Sequence, residues 1–166
     1  MVRLFVTYME QSVPPADDPL PVPIAGASVA RETPDPQAYL GLYRAIGTPL
    51  QWDERLRMSE GELADFLTRA STAVYVLRQA GEPRGLCEFE ALGAADVELR
   101  HFGLVPAAQG RRLGPYLLDQ ALRSVWSHGP ERIWLHTDTN DHPAARPVYE
   151  RAGFTVRAET WEEFPD

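Results

Sequence analysis

One stretch of the sequence, Gly103 to Leu118, joins a strand-like segment to a helix-like segment through a corner that contains glycines and arginines. The residues before it, VELRHFGLV, alternate as in a strand, and GPYLLDQALRSVW has the spacing of an amphipathic helix. The first turn of a helix has unpaired N–H groups and the positive end of the dipole. A glycine-containing corner at this point favours either a plain tight turn or a phosphate-binding site.

Two common phosphate-binding patterns are missing from the chain. A P-loop needs a lysine after its second glycine, and all 16 basic residues here are arginines. A dinucleotide-binding fingerprint needs G-x-G-x-x-G early in a strand–helix–strand unit, which the sequence also lacks. The corner therefore calls for a different explanation.

The remaining patterns predict a mixed α/β domain. Helices are expected after Pro36 up to Gly47, from a capping box at Ser59, over about 111–127 and over about 143–152. A proline-rich connector covers 12–26. Strands are expected at 3–10, 72–79, 84–92, 96–105, 132–137 and 154–161, with a further short strand before Thr33. We expect one domain over 1–166, with a mainly antiparallel sheet of six to seven strands flanked by about four helices.

Composition limits the class of protein. The net charge of −8 argues against a general nucleic-acid or membrane-surface binder, and no apolar run is long enough to span a bilayer. The first residues lack the pattern of a signal peptide. Cys87 is the only cysteine, which fits a reducing compartment, so a cytoplasmic location is expected. Cys87 lies within an apolar strand and is expected to be a core residue rather than a nucleophile.

Two motifs resemble those of the GNAT superfamily of N-acetyltransferases. That family carries V-x-P and then [RQ]-x-x-G-x-[GA] at the start of a helix, and near its C-terminus often N-x-x-A-x-x-x-Y-x-x-x-G-F. The first motif is matched by Gln109, Leu113 and Gly114, with Gly110 where many members have glycine, whereas Arg112 replaces the first glycine of the pair. The second is matched by Ala145, Tyr149, Gly153 and Phe154, with His142 at the asparagine position and Asn140 two residues earlier.

The resemblance implies a GNAT-like fold and acetyl-CoA as co-substrate, with no metal. The residues expected to bind the cofactor are Phe102, Gly103, Leu104, Gln109, Gly110, Arg111, Arg112, Leu113, Gly114, Asn140 and His142. In the family, backbone N–H groups of a bulged strand hold the thioester. The matching positions are Phe102 and Leu104, and we expect Gly103 to ease such a bulge.

The resemblance also suggests two catalytic residues. Tyr149 matches the family's usual general acid for the leaving thiolate, and Glu98 is the expected general base, on the strand face of Arg100 and Phe102. Glu88, Glu90 and His101 are alternative bases. A zinc site is not expected, because there is one cysteine and no H-E-x-x-H pattern.

The segment GTPLQWDERLRMSE between the first two helices is the candidate wall of the acceptor pocket, with Trp52 and Arg55 as acceptor-binding residues. The expected function is acetyl transfer from acetyl-CoA to a primary amine of a small molecule or peptide, by direct attack in a ternary complex. The alternatives are a non-catalytic acyl-CoA-binding regulatory module and a transferase of another acyl group. A homodimer is possible, since family members often dimerise.

Overall fold

The computed structural model describes all 166 residues and contains one seven-stranded sheet with four α-helices. The strands are β1 (Val2–Gln11), β2 (Ala27–Glu32), β3 (Ala73–Gln79), β4 (Glu82–Glu90), β5 (Asp96–Leu104), β6 (Arg132–Asp138) and β7 (Thr155–Phe164). The helices are α1 (Pro36–Gly47), α2 (Glu60–Thr68), α3 (Leu113–Trp126) and α4 (Ala145–Arg151). The mixed fold class predicted from the sequence is confirmed. None of the helices has the length and apolarity that crossing a membrane requires.

The sheet has the order β2-β3-β4-β5-β6-β1-β7, and only the β5–β6 pair is parallel. The first strand therefore lies between β6 and the last strand and forms antiparallel ladders with both. The proline-rich connector then leads from β1 to β2 at the opposite edge of the sheet.

Two apolar layers cover the sheet. On one face α3 packs over a core that includes Leu77, Cys87 and Phe89, all fully buried. On the other face α1 and α2 pack over Val74, Val76 and Leu86. Side chains that alternate along β3 and β4 thus fill both layers, which is why these strands have nearly continuous apolar runs. Cys87 is a core residue, as the sequence indicated.

A bulge in β5 interrupts this alternation. Glu88 of β4 is opposite His101, whereas Phe89 is opposite Leu99, so Arg100 is an extra residue in β5. Arg100 and His101 consequently both contact groups on the α1 side, whereas Phe102 packs on the α3 side. The expectation that Glu98 shares a strand face with Phe102 is wrong, because it assumed an unbroken alternation.

Gly103 is not the bulged residue, in contrast to the prediction from the sequence. A Cβ atom there would lie 2.5 Å from Ile46 Cγ2 and 3.4 Å from a Trp52 ring atom. Glycine at this position instead allows α1 to approach β5 closely.

We expect Gly103→Ala to lower the free energy of unfolding by about 1–3 kcal/mol, because the new methyl group overlaps a buried isoleucine. Gly41→Ala is the matched control, since Gly41 is an exposed α1 residue and a Cβ atom added there would have no other atom within 4 Å. Alanine there should stabilise the helix by up to about 1 kcal/mol. Urea unfolding of both variants measures the difference, and equal stability of the two would contradict this account of Gly103.

Candidate active site

The site begins where β5 and β6 separate. These strands pair only at Asp96, Val97 and Glu98, opposite Arg132, Ile133 and Trp134. Beyond this point β5 continues to Leu104 and β6 to Asp138 without forming a ladder to each other. The gap leaves one backbone edge of each strand free on that side, next to the corner that the sequence identified.

A cavity of about 350 Å³ lies at this corner, between the start of α3 and α4. It contains most of the residues predicted to bind the cofactor. These are Phe102, Gly103, Leu104, Gln109, Gly110, Arg112, Leu113, Gly114 and His142. Arg111 is not in its lining, and Asn140 lies in a neighbouring cleft. The structure thus brings residues that are 40 positions apart in sequence to one cavity.

Arg112 preserves the turn that the motif makes with glycine. It is the residue before α3 and takes the left-handed conformation, with φ of 62°, while Gly110 has φ of 78°. A residue with a side chain tolerates this conformation at a cost of about 1–2 kcal/mol. Neither Arg111 nor Arg112 forms an ion pair within the chain, so two cationic side chains lie unneutralised beside the N-terminus of α3.

A larger cleft, of about 770 Å³, lies on the other side of the β5 strand end. Tyr43, Trp52 and His101 form an aromatic wall in which the Trp52 and His101 rings are 4.9 Å apart. The cleft and the corner cavity share Leu50, Phe102, Asp141 and Tyr149. A ligand in one cavity can therefore meet a ligand in the other beside Phe102 and Tyr149.

Tyr149 stands at this junction. Its ring packs against Phe102 and Phe154, with centroid distances of 5.6 and 6.1 Å, and the residue is 6 % exposed. Burial, and then the nearby charge of Asp141, raise the pKa of Tyr149 well above its ordinary value. The Tyr149 hydroxyl group is therefore un-ionised at neutral pH.

The two residues predicted to bind the acceptor have different positions. Trp52 lines the cleft, but Arg55 does not. Arg55 is only 4 % exposed and its guanidinium lies 4.0 Å over the Phe66 ring, behind the wall. Arg55 is therefore not an acceptor contact, because a buried carboxylate holds it in place. The composition of the segment around Arg55 could not indicate this.

That carboxylate is Glu88, which is completely buried. It accepts hydrogen bonds from the Tyr39 hydroxyl, from Arg55 Nη2 at 2.8 Å, and from His101 Nδ1 at 2.9 Å. Burial alone would raise the pKa of Glu88, but His101, Arg55 and Tyr39 outweigh it and lower the pKa to about 2. Glu88 is therefore ionised at neutral pH. A glutamate between Cys87 and Phe89 in an apolar strand was the sequence signal for this buried charge.

Glu98, the expected base, lies outside both cavities. Its carboxylate accepts a hydrogen bond from Arg100 Nη1 at 2.8 Å and is 3.8 Å from His136 Nδ1. Glu90, another candidate, is 3.2 Å from Arg100 Nε and 3.5 Å from Arg55 Nη2. Both carboxylates are thus engaged in ion pairs at the start of β5. No group of three or more histidine, cysteine, aspartate or glutamate side chains is arranged to hold a metal ion.

Comparisons with known proteins agree with this geometry. The sequence profile of the Acetyltransferase (GNAT) family matches residues 37–154, and the chain belongs to that family. A 62-residue stretch is 40% identical to a mycothiol acetyltransferase from Beutenbergia cavernae, covering 37% of this chain and 20% of that protein.

Two solved structures illustrate the shared fold. A GCN5-related N-acetyltransferase from Sphaerobacter thermophilus has a TM-score of 0.63 and 20% identity over 94% of this chain and 49% of its own. An aminoglycoside acetyltransferase from an uncultured soil metagenomic sample has a TM-score of 0.69 and 14% identity over 85% of this chain and 96% of its own. The chain thus spans a fifth of the curated relative and about half of the Sphaerobacter protein.

We expect Glu88→Gln to lower the free energy of unfolding by about 3–5 kcal/mol at pH 7, because it leaves the buried Arg55 without its counter-charge. The pKa of Glu88 is lowered on folding, so its stabilisation is complete above the unfolded-state pKa of about 4.3 and is lost as the pH falls towards 2. The difference in the free energy of unfolding between variant and wild type should therefore narrow below about pH 4.

Urea unfolding at pH 7 and pH 3 measures this difference between Glu88→Gln and the wild-type protein. Glu82→Gln is the control, since that side chain is on the same strand and 70% exposed. A Glu88→Gln deficit that is equally large at both pH values would contradict the ionised, paired state of Glu88.

Proposed function

We propose that the chain transfers the acetyl group of acetyl-CoA to a primary amine of a small molecule or peptide, by direct attack in a ternary complex. The observation that carries this proposal is the meeting of two cavities at Phe102 and Tyr149. The cofactor enters from the corner of α3, and the acceptor enters from the aromatic cleft. Neither has to leave before the other binds, so no covalent enzyme intermediate is required.

The corner suits the phosphate end of acetyl-CoA. The first turn of α3, whose N–H groups no side chain caps, begins at the cavity lined by Gly110 and Gly114, and the cations of Arg111 and Arg112 are close in sequence. The pantetheine arm then occupies the gap between β5 and β6. We propose that the backbone N–H groups of Phe102 and Leu104 hold the arm and polarise the thioester, as an oxyanion hole does.

The reaction at the junction forms one bond and breaks another. The amine nitrogen attacks the thioester carbonyl carbon, the new C–N bond forms, and the C–S bond breaks. The departing thiolate takes a proton, for which the un-ionised Tyr149 hydroxyl is the proposed donor. The amine must first lose its own proton, because an alkylammonium with a pKa of about 10 has no lone pair for attack.

The nature of the acceptor follows from the cleft. Its aromatic wall and its acidic residues, among them Glu54, Asp138 and Asp141, suit a cationic amine. The similar protein from the soil metagenome is an aminoglycoside acetyltransferase, which supports a small amine-bearing acceptor. The cytoplasmic location and the homodimer expected from the sequence stay predictions.

We expect acetyl-CoA to bind with micromolar affinity in calorimetry. ATP should not bind, because it has no pantetheine arm to occupy the gap between β5 and β6. Gln in place of both Arg111 and Arg112 should weaken acetyl-CoA binding by about tenfold or more through loss of charge-assisted contacts.

Arg44→Gln is the control, since Arg44 is an exposed arginine of α1 without an ion pair. No binding of acetyl-CoA to wild type would remove the transferase proposal and the acyl-CoA-binding alternative together. Binding without transfer to any amine would favour the binding module.

We expect Tyr149→Phe to lower kcat by about 100-fold while the acetyl-CoA dissociation constant stays within twofold, because only the departing thiolate uses the hydroxyl. Tyr116→Phe is the matched control, since Tyr116 is also 6 % exposed and packs in the core. Release of free thiol at saturating amine gives kcat. Wild-type turnover in Tyr149→Phe would show that another group protonates the thiolate.

A further inference from the structure

We propose that His101, held in place by buried Glu88, is the general base that takes the proton of the acceptor ammonium. The inference rests on the proposed function, since it assigns a step of that same transfer. His101 lies on the wall of the acceptor cleft, one residue before Phe102, and is 8 % exposed. It therefore reaches the cleft while most of its ring is packed.

The two ring nitrogens of His101 have different surroundings. Nδ1 lies 2.9 Å from Glu88 Oε2, inside the protein, whereas Nε2 lies beside two residues of the cleft wall. Those neighbours are the Tyr43 hydroxyl at 3.5 Å and Glu54 Oε2 at 3.9 Å. Both distances are at or beyond the limit of a hydrogen bond, so an incoming ammonium group can compete for Nε2.

The buried carboxylate fixes the tautomer of the imidazole. An ionised carboxylate only accepts hydrogen bonds, so the hydrogen between Glu88 and His101 belongs to Nδ1. In the neutral ring the lone pair is then on Nε2, the nitrogen beside Tyr43 and Glu54 of the cleft wall. This is how a buried carboxylate orients a histidine base in hydrolase triads, where it also stabilises the imidazolium that forms.

Glu88 itself is rigidly positioned for this role. The Tyr39 hydroxyl and Arg55 Nη2 bind its oxygens, and the ring of His101 is packed against Tyr43 and Trp52 at 5.1 and 4.9 Å. Three elements, α1, β4 and the segment before α2, thus determine where the imidazole lies. Glu88 acts through His101 and is a positioning residue.

Charged and polar groups from several elements surround His101. The groups that face it are Glu88 from β4, Tyr43 from α1, and Glu54 and Arg55 from the intervening segment, with Arg100 adjacent on β5. Arg55 and Glu88 neutralise each other at 2.8 Å, and Arg100 is paired with Glu54 at 2.6 Å and with Glu98 at 2.8 Å. Glu54, which is partly exposed and also pairs with Arg100, is the carboxylate nearest to Nε2 of His101, at 3.9 Å.

The proton balance of the step is complete. Nε2 of His101 takes one proton from the ammonium group, and the freed lone pair attacks the thioester. After the attack, the excess N–H proton leaves to solvent and Tyr149 protonates the thiolate. His101 then loses its extra proton to water through the cleft, and Tyr149 regains a proton from water. Glu98 is a weaker candidate for the first proton, because it lines neither cavity and its carboxylate is paired with Arg100 at 2.8 Å.

The test is the pH dependence of kcat/KM in His101→Gln, measured with an amine that the wild-type protein acetylates. His128→Gln is the control, since His128 is an exposed residue after α3. We expect His101→Gln to lose about 100-fold at pH 7, to recover as the pH approaches the amine pKa of about 10, and to keep the wild-type affinity for acetyl-CoA. His128→Gln should match wild type at every pH. Glu98→Gln is the rival variant: a 100-fold loss there, with His101→Gln near wild type, would overturn the proposal.

A second measurement needs no variant and no turnover. The ¹⁵N chemical shifts of the four histidines, assigned in the wild-type protein, report which nitrogen of each ring carries hydrogen. We expect His101 to be the Nδ1–H tautomer when neutral, and the Nε2–H tautomer would overturn the proposal. A wild-type protein that binds acetyl-CoA and acetylates no amine would remove the proposed function and the base role together. Transfer that survives in His101→Gln would remove the base role alone.

Discussion

The parallel pairing of β5 with β6 ends after three residues, and the rest of the site depends on that separation. Strands that part inside a sheet leave backbone donors and acceptors without ladder partners, and such groups need a partner or water. The gap lies between two covered faces, with α3 on one side and α1 on the other. A long, narrow cofactor arm with amide groups is the kind of ligand that can fill it.

The bulge at Arg100 distributes the side chains of β5 between the two cavities. Because it adds one residue, His101 lies beside Glu88 and lines the larger cleft, whereas Phe102 packs against Tyr149 and lines the corner cavity. If β5 alternated regularly through Arg100, with no bulge, His101 would lie on the α3 face and Glu88 would have no imidazole partner. One local irregularity therefore lets one strand line both cavities, and bulges are common near active sites.

The sequence predicted the parts of this arrangement whose signals are local. Glycines and a proline around the start of a helix indicate the corner. Tyr149 and Gly153 are close in sequence, and one short helix accounts for the spacing between them. The positions of Arg55 and His101 depend on a glutamate in another strand, and the bulge appears only when β4 and β5 are aligned. The place of β1 beside β6 joins residues more than 120 positions apart, for instance Gln11 and Ile133, and no local pattern encodes such pairing.

The most direct test is a crystal structure of the complex with acetyl-CoA. We expect the pyrophosphate at Gly110 and Gly114, the pantetheine between β5 and β6, and the thioester beside the Tyr149 hydroxyl with its acetyl group open to the cleft of His101. An acetyl-CoA molecule whose thioester lies away from the junction of the two cavities would contradict this expectation.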